Sequence, residues 1–441
     1  MRSMRDLLHV ALVVAILAPI VVSLIAGVGI MLTREWPRER AVSAPVRIGL
    51  GLSFVSSAIV AMGHFGVFGE PWNGEVEFGN WISIGSYEIP AVFLLDHVSV
   101  VFSLLGAALT AIVARFSETY LHREVGYVRF FVILGFFATG TQLVAFAGVL
   151  DLFFAGWEAI GIASALFIGF FHERAEPVRS SVRAFVTYRL CDVGFLIAIV
   201  ATHEMIGSTR LADLHRATSL PQWEVTMIGL LLLLAAFGKS AQLPFSGWLV
   251  RAMEGPTPSS ALFYGAVSIH AGLYLLLRTV PLLHATPVAS AVGATIGVLT
   301  AWYAAAVVRT HSDAKGALAQ ATLAQTGLIL AEICLGLTTL ALVHLVSHAL
   351  LRAWQYLRAP NMLHDAHSHD HHGGAVSTSP GRMEPTGALA SRFYLGQLHR
   401  FRLDDRLDAL IAPVLGLARA IDKLDRRYVG AIIGDGRSVE R

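Results

Sequence analysis

Lys239 closes an apolar run over residues 227–236, and Pro244 follows it in FGKSAQLPFSGWLVRAMEGPTPSS. A proline inside a helix frees backbone carbonyls, and irregular backbone at membrane depth persists only where it lines protein or a water-filled path. A lysine beside such a break therefore points to ion passage; the alternative is a lysine snorkelling from the end of an ordinary helix. Glu158 lies mid-run in FAGWEAIGIASALFIGFF, where burial disfavours its charged form unless a cation offsets it. Arg189 and Asp192, in VTYRLCDVG, are three apart and share a helix face, as neighbours of a site or as a salt bridge with no transport role. His344, His348 and Arg352 in VHLVSHALLRAW take a four-residue step along one face. Two histidines at that spacing bind a metal or relay protons, and no third ligand is obvious. His270, Lys315 and Glu332 are further candidates, Lys315 being expected only to cap a helix end.

The elements that must hold these groups are membrane helices. The chain has 441 residues, a mean hydropathy of +0.62 and 15% charged residues, where a soluble protein carries roughly a quarter. Apolar runs of about twenty residues, each enough to span a bilayer, recur along it. The expectation is an all-α polytopic membrane protein with eleven spans: 6–32, 44–66, 91–115, 127–148, 150–171, 181–204, 225–248, 257–279, 284–308, 316–336 and 338–357. The seventh should be discontinuous near Pro244. The odd-numbered loops hold Arg34, Arg38, Arg40, Arg47, Arg123, Arg174, Arg179, Arg251, Arg309 and Lys315, and the opposite side far fewer. That bias puts the amino terminus outside and the tail in the cytoplasm. The first apolar run is long enough to span and shows no cleavage site.

Three features lie outside the spans. GEVEFGNWISIGSYEI, in the longest connection (66–96), alternates polar and apolar residues around Gly79-Asn80 and predicts a β-hairpin there. Residues 359–390 read as a flexible linker; His364, His367, His369, His371 and His372 are a solvated tract or a loose divalent-ion site. Residues 391–441 predict an amphipathic helical segment for a membrane surface or a partner. The domains expected are thus 1–358, 359–390 and 391–441. A net charge of +2 without a basic stripe gives no sign of nucleic acid, and Cys191 and Cys334 are expected as buried hydrophobes. No Gly-rich nucleotide fingerprint or cysteine cluster suggests an enzyme, and a purely structural anchor would leave the intramembrane charges without a purpose.

GKSAQLPFSGWLVRAMEGPTPSSAL closely resembles the signature of the proton-translocating, antiporter-like subunits shared by complex I, its plastid relatives and multisubunit sodium/proton antiporters. The GNWISIG hairpin and the carboxy-terminal segment are similar to the same family. The resemblance implies an inverted-repeat bundle whose first repeat is spans four to eight. It pairs Glu158 with Lys239, sets Arg189 and Asp192 near the glutamate, and makes His344 and His348 a proton wire. Attraction within the buried pair and desolvation of each member oppose one another, so small rearrangements move a proton; a static pair locking two helices is the alternative. Tyr264 stands where the family usually has histidine, and Arg352 where lysine is usual. The second repeat is expected to be truncated after the eleventh span. A shortened member of this kind resembles the membrane subunit of the DAB inorganic-carbon accumulation complex. That resemblance implies a proton or sodium gradient coupled to inorganic-carbon uptake in the bacterial inner membrane. It also implies a cytoplasmic zinc-containing, carbonic-anhydrase-like partner, with no cofactor or catalytic centre in this chain. The other implied function is a proton-pumping subunit of a complex I-like or multisubunit antiporter assembly.

Overall fold

The computed structural model describes residues 2–33, 39–84, 87–311, 313–359 and 388–433. Arg34, Arg38 and the histidines between His364 and His372 lie outside the described residues. The chain divides into two compact units, Met1–Ser377 and Thr378–Arg441. In the first, α1 (Arg2–Thr33) and α2 (Glu39–His64) lead into a two-stranded antiparallel hairpin, β1 (Gly74–Ile84) and β2 (Tyr87–Leu95). The bundle continues with α3 (His97–Tyr120), α4 (Tyr127–Phe146), α5 (Leu150–Ile168), α6 (Ala175–Ile206) and α7 (Gln222–Lys239). After the short α8 (Gly247–Arg251), α9 (Thr257–Ser259) passes through a π-helical stretch, Ser260–Ala266, into α10 (Ser268–Arg278). Then come α11 (Val280–His284), α12 (Pro287–Val307), α13 (Ala314–Cys334) and α14 (Thr338–Arg358). Ten stretches among the described residues are long and apolar enough to cross a membrane, with Thr257–Arg278 taken as one. The expected eleventh, α14, has 21 residues but carries His344, His348, Arg352 and Arg358.

Two boundaries move for physical reasons. The third span begins at His97, not at residue 91, because 91–95 belong to β2 and a reciprocal capping box starts the helix: Ser99 N–H donates to Asp96 Oδ1 at 2.8 Å, and Asp96 N–H to Ser99 Oγ at 2.9 Å. The hairpin reverses between Ile84 and Tyr87, not at Gly79-Asn80. Gly79, at φ +91°, instead sits in β1 where the register slips between Glu77 and Asn80, a bulge that glycine tolerates. Lys315 does not cap α13: the open N–H groups there need an acceptor, which Asp313 supplies to Gly316 N–H at 2.5 Å.

The hairpin ties one end of the bundle together. Gly148 N–H donates to Val92 O at 2.8 Å, and Leu150 N–H to Thr209 O at 3.0 Å. Arg210 reaches Glu75 and Glu77 at 2.8 and 2.9 Å, and those two carboxylates hold its proton more firmly than usual. Arg278, at the end of α10, bonds both oxygens of Asp96 at 2.8 and 2.6 Å, joining α3 to the centre of the bundle. The most enclosed stretch is Thr257–Arg278, of which almost every residue is buried. In the second unit, α15 (Ala388–Leu398) and α16 (Leu403–Ile433) flank a kink at Arg400–Arg402. Leu417, Ile421 and Leu424 of α16 form an exposed apolar stripe at helical spacing.

Burial of Asp96 disfavours its charge, but Arg278 and the Ser99 N–H outweigh this and hold the carboxyl below the usual carboxylate range. A depressed folded-state pKa contributes stability above the unfolded value, about 4, that is lost as pH falls through the folded one. Asp96→Asn should therefore lower the melting temperature in detergent at neutral pH. Acidification from pH 6 should then cost the variant less than the wild type, as parallel melting curves would read.

Candidate ion-translocation site

Two close approaches bring the charged residues together. A side-chain carbon at Gly238 would lie 2.4 Å from Cys191 Cβ, so glycine lets α7 press against α6 and sets Lys239 beside residues 188–192. A side-chain carbon at Gly161 would lie 2.9 Å from Lys239 Nζ and 3.4 Å from Arg189 Nη2, so its absence opens α5 to both cations. Lys239, 1% exposed, donates to the Trp157 carbonyl at 2.9 Å. Its ammonium lies 4.7 Å from the Trp157 ring centroid and 5.1 Å from that of Tyr188, contacts worth about 2 kcal/mol or more when desolvated. Asp192 and Glu158 attract it and Arg189 repels it.

The expected direct contact of Glu158 with Lys239 is replaced by a shared guanidinium. Arg189 Nη1 bonds Glu158 Oε2, while its Nη2 lies 2.8 Å from Asp192 Oδ2. Asp192 is further held by Trp157 Nε1–H at 2.5 Å. Thus α5, α6 and α7 each contribute to one cluster of two acids and two bases. Glu158 Oε1 has no hydrogen-bond partner among the described residues, and an unpaired buried acceptor costs about 1–3 kcal/mol.

The break after Lys239 follows from Pro244, whose ring would clash with the carbonyl of residue 240 and which has no N–H to give. The helix stops at Lys239 and resumes at Gly247. Side chains satisfy the groups around the break: Trp248 Nε1–H donates to Gly238 O at 3.0 Å, Ser240 Oγ–H donates to Ala236 O, and Leu243 N–H donates to Thr300 Oγ1 at 3.1 Å. Gln242 reaches Thr326 of α13 at 3.3 Å. The break is thus polar and internally bonded, packed against α12 and α13.

A second polar line runs through α10 and α14. Arg352 Nε–H donates to His348 Nε2 at 3.1 Å, so the His348 ring proton is on Nδ1 and faces His270 Nε2 at 3.0 Å. The His270 proton must then be on Nδ1, where it meets Ala266 O, the last residue of the π-helical stretch. His344 faces away from that pair, towards Glu332 Oε1 at 2.9 Å and Gln325 Oε1 at 2.9 Å. α10 packs against α7 and α14. Ser164 and Ser268 meet at 3.0 Å, and Tyr264 OH donates to Ser164 O at 3.2 Å, joining α5 to the same stretch.

The candidates therefore fall into two groups: Glu158, Arg189, Asp192 and Lys239 in one, His270, His348 and Arg352 in the other, with His344 beside it. Trp157, Tyr188 and Gln325 escape sequence reading, since an aromatic or amide in an apolar run is ordinary core; only their places beside Lys239 and His344 single them out. Among the described residues no three His, Cys, Asp or Glu side chains come together to hold a metal ion.

A multi-pass helical bundle built round a lysine at a helix break defines a polytopic membrane protein with a charged interior. The chain belongs to the NADH:quinone oxidoreductase/Mrp antiporter transmembrane family, whose family model matches residues 147–374. A second match, to the complex I chain 5 N-terminus, covers residues 81–131. The chain is similar to NAD(P)H-quinone oxidoreductase subunit 5 of the Nephroselmis olivacea chloroplast, 31% identical over 81% of this chain and 56% of the relative. The corresponding subunit of Paulinella chromatophora is 32% identical over 71% of this chain and 48% of its own length. The chain thus spans about half the length of these curated relatives. Among solved structures, the Mrp complex from Dietzia sp. DQ12-45-1b superposes with a TM-score of 0.66 at 26% identity, over 80% of this chain and 37% of that one. An archaeal membrane-bound sulfane sulfur reductase shares the fold, with a TM-score of 0.65 at 19% identity over 78% of this chain and 55% of that one.

Gly161→Ala should disturb the cluster by displacing Lys239 Nζ, at a cost of about 1–3 kcal/mol for overpacking. Gly51, whose added carbon would meet nothing within 4 Å, supplies the control. Melting curves and ion transport of Gly161→Ala should both fall, while Gly51→Ala should match the wild type.

Proposed function

We propose that this chain is an ion-translocating subunit of a complex I-like or multisubunit antiporter assembly, without a catalytic centre of its own. The observation that carries the reading is Lys239: an enclosed ammonium at a helix break, held by a carbonyl, two rings and a shared acid–base cluster. Such a group exchanges a proton whenever its partners shift by a few tenths of an ångström, because each charge is balanced only by the others. Arg189 hydrogen-bonds Glu158 and forms an ion pair with Asp192. Releasing either acid changes the field at Lys239 without moving a helix. The names of the relatives and of the Mrp complex support the same reading, in the plain sense that those proteins are parts of oxidoreductase or antiporter assemblies.

The histidines form the lateral part of the proposed path, and Arg352 positions His348 rather than carrying the proton, since a guanidinium does not readily release one. The proposed setting is a bacterial inner membrane, and the arginine bias supports an amino terminus outside and a tail in the cytoplasm. Inorganic-carbon uptake with a zinc carbonic-anhydrase-like partner stands second, because the relatives are named for redox and antiporter assemblies. Mild-detergent purification after expression with neighbouring genes separates the two: a zinc enzyme as the companion favours carbon uptake, and oxidoreductase or antiporter subunits favour the first reading.

Lys239→Ala should abolish ion movement, by about 100-fold or more, in proteoliposomes holding the intact assembly. Normal transport by a well-assembled Lys239→Ala variant would overturn the reading.

A further inference from the structure

Glu332, which none of the roles above uses, pairs with His344. Both ring nitrogens of His344 face acceptors: Nδ1 lies 2.9 and 3.2 Å from the two Glu332 oxygens, and Nε2 lies 2.9 Å from Gln325 Oε1. A neutral imidazole has one donor and one acceptor, so it would turn a lone pair towards one of these oxygens. With Gln325 turned as it is, a ring that donates from both nitrogens meets all of these oxygens. His348, the next histidine along α14, has the opposite surroundings: it accepts from Arg352 and donates to His270, which fits a neutral ring. The two rings, one facing acceptors on both sides and the other facing a donor and an acceptor, stand in succession with their centroids 6.3 Å apart.

Access increases along this line. His270 is 0% and His348 4% exposed, whereas the side chains of His344 and Glu332 are 23% and 18% exposed. The pair also lies towards the hairpin end of the bundle. Glu332 is two residues from the end of α13, where Ile333 O meets His284 of α11 at 3.0 Å. α11 directly follows α10, whose last residue, Arg278, is bonded to Asp96 beside the hairpin.

We propose that Glu332 is a further ion-handling residue, forming with His344 the terminal proton station that opens the histidine line towards the hairpin end. This rests on the ion-translocating reading given above. In the step required, the Nδ1 proton of His344 passes to Glu332 Oε1, leaving a neutral ring that keeps its Nε2–H on Gln325 and a neutral acid that sheds the proton to the aqueous side. His344 Nδ1 is refilled by the Nδ1 proton of His348, across a gap that one water or a ring rotation spans, and His348 Nδ1 is refilled by a proton that enters at His270 Nε2 while His270 keeps its Nδ1–H on Ala266 O. One proton enters and one leaves, and the pair returns to its charged form. Gln325 acts by positioning the ring.

The test uses Glu332→Gln, Glu332→Asp and His344→Gln in the full chain within its assembly, reconstituted in liposomes with a pH-sensitive dye, and Lys239→Ala alongside. In Glu332→Gln an acceptor oxygen for His344 survives but the proton acceptor is gone. Transport should fall about 100-fold with assembly unchanged, and what remains should lose part of its pH dependence. Glu332→Asp should recover about a tenth of the wild-type rate or more, and His344→Gln should match Glu332→Gln. A pair that merely locks α13 to α14 would leave Glu332→Gln close to wild type. That result beside an inactive Lys239→Ala overturns this proposal alone, and an active Lys239→Ala removes the reading beneath it. If Glu332→Gln does not accumulate, His344→Gln decides: normal transport overturns the proposal, and a matching loss supports it.

Discussion

A charge removed from water must be balanced nearby, and Lys239 imposes that condition on the whole centre of this protein. Its ammonium is enclosed by α5, α6 and α7, and the features that bring those helices together make sense as compensation for it. Gly238 allows the approach of α6, and Gly161 leaves room for the ammonium to reach the Trp157 carbonyl. Arg189 then ties the two acids to the same cluster. Removing one member of such a buried set costs about 3–5 kcal/mol, because the others are left without a counter-charge. The arrangement is therefore sensitive to small shifts of any one member.

Two departures from the regular α-helix supply the polar backbone that this interior otherwise lacks. Pro244 ends α7 and exposes the groups that Trp248, Ser240 and Thr300 bind. The π-helical stretch over Ser260–Ala266 brings the Ala266 carbonyl to the His270 ring, which fixes the tautomer and turns Nε2 to His348. Short π stretches are frequent at functional sites. Here the physical consequence is specific: the direction in which each histidine presents its proton follows from one backbone irregularity and one arginine.

The hairpin end has a different task. Its hydrogen bonds and the Asp96–Arg278 pair hold α3, α4, α5 and α10 in fixed relation. The charged clusters are thereby set inside a frame that keeps the helices together. Arg278 is almost fully enclosed and bonded to both oxygens of Asp96, a geometry that adds direction as well as strength.

The sequence by itself determined the class of fold and the identity of most of the polar residues at the centre. Length and apolarity mark membrane helices because each span must cover the hydrocarbon thickness, and a lone ionisable residue inside one stands out against that background. Pro244 likewise announces a break, since no partner residue can restore its missing N–H. Residue pairing was beyond its reach. Sequence order places Glu158 and Lys239 on different helices but cannot show that Arg189 stands between them, because that depends on how closely α5, α6 and α7 approach at Gly161 and Gly238. Nor can it separate His344 from His348, which share a face at four-residue spacing. Only the tertiary structure gives one of them a carboxylate and an amide oxygen and the other an arginine and a histidine, because those neighbours come from α13 and α10 and not from α14 alone.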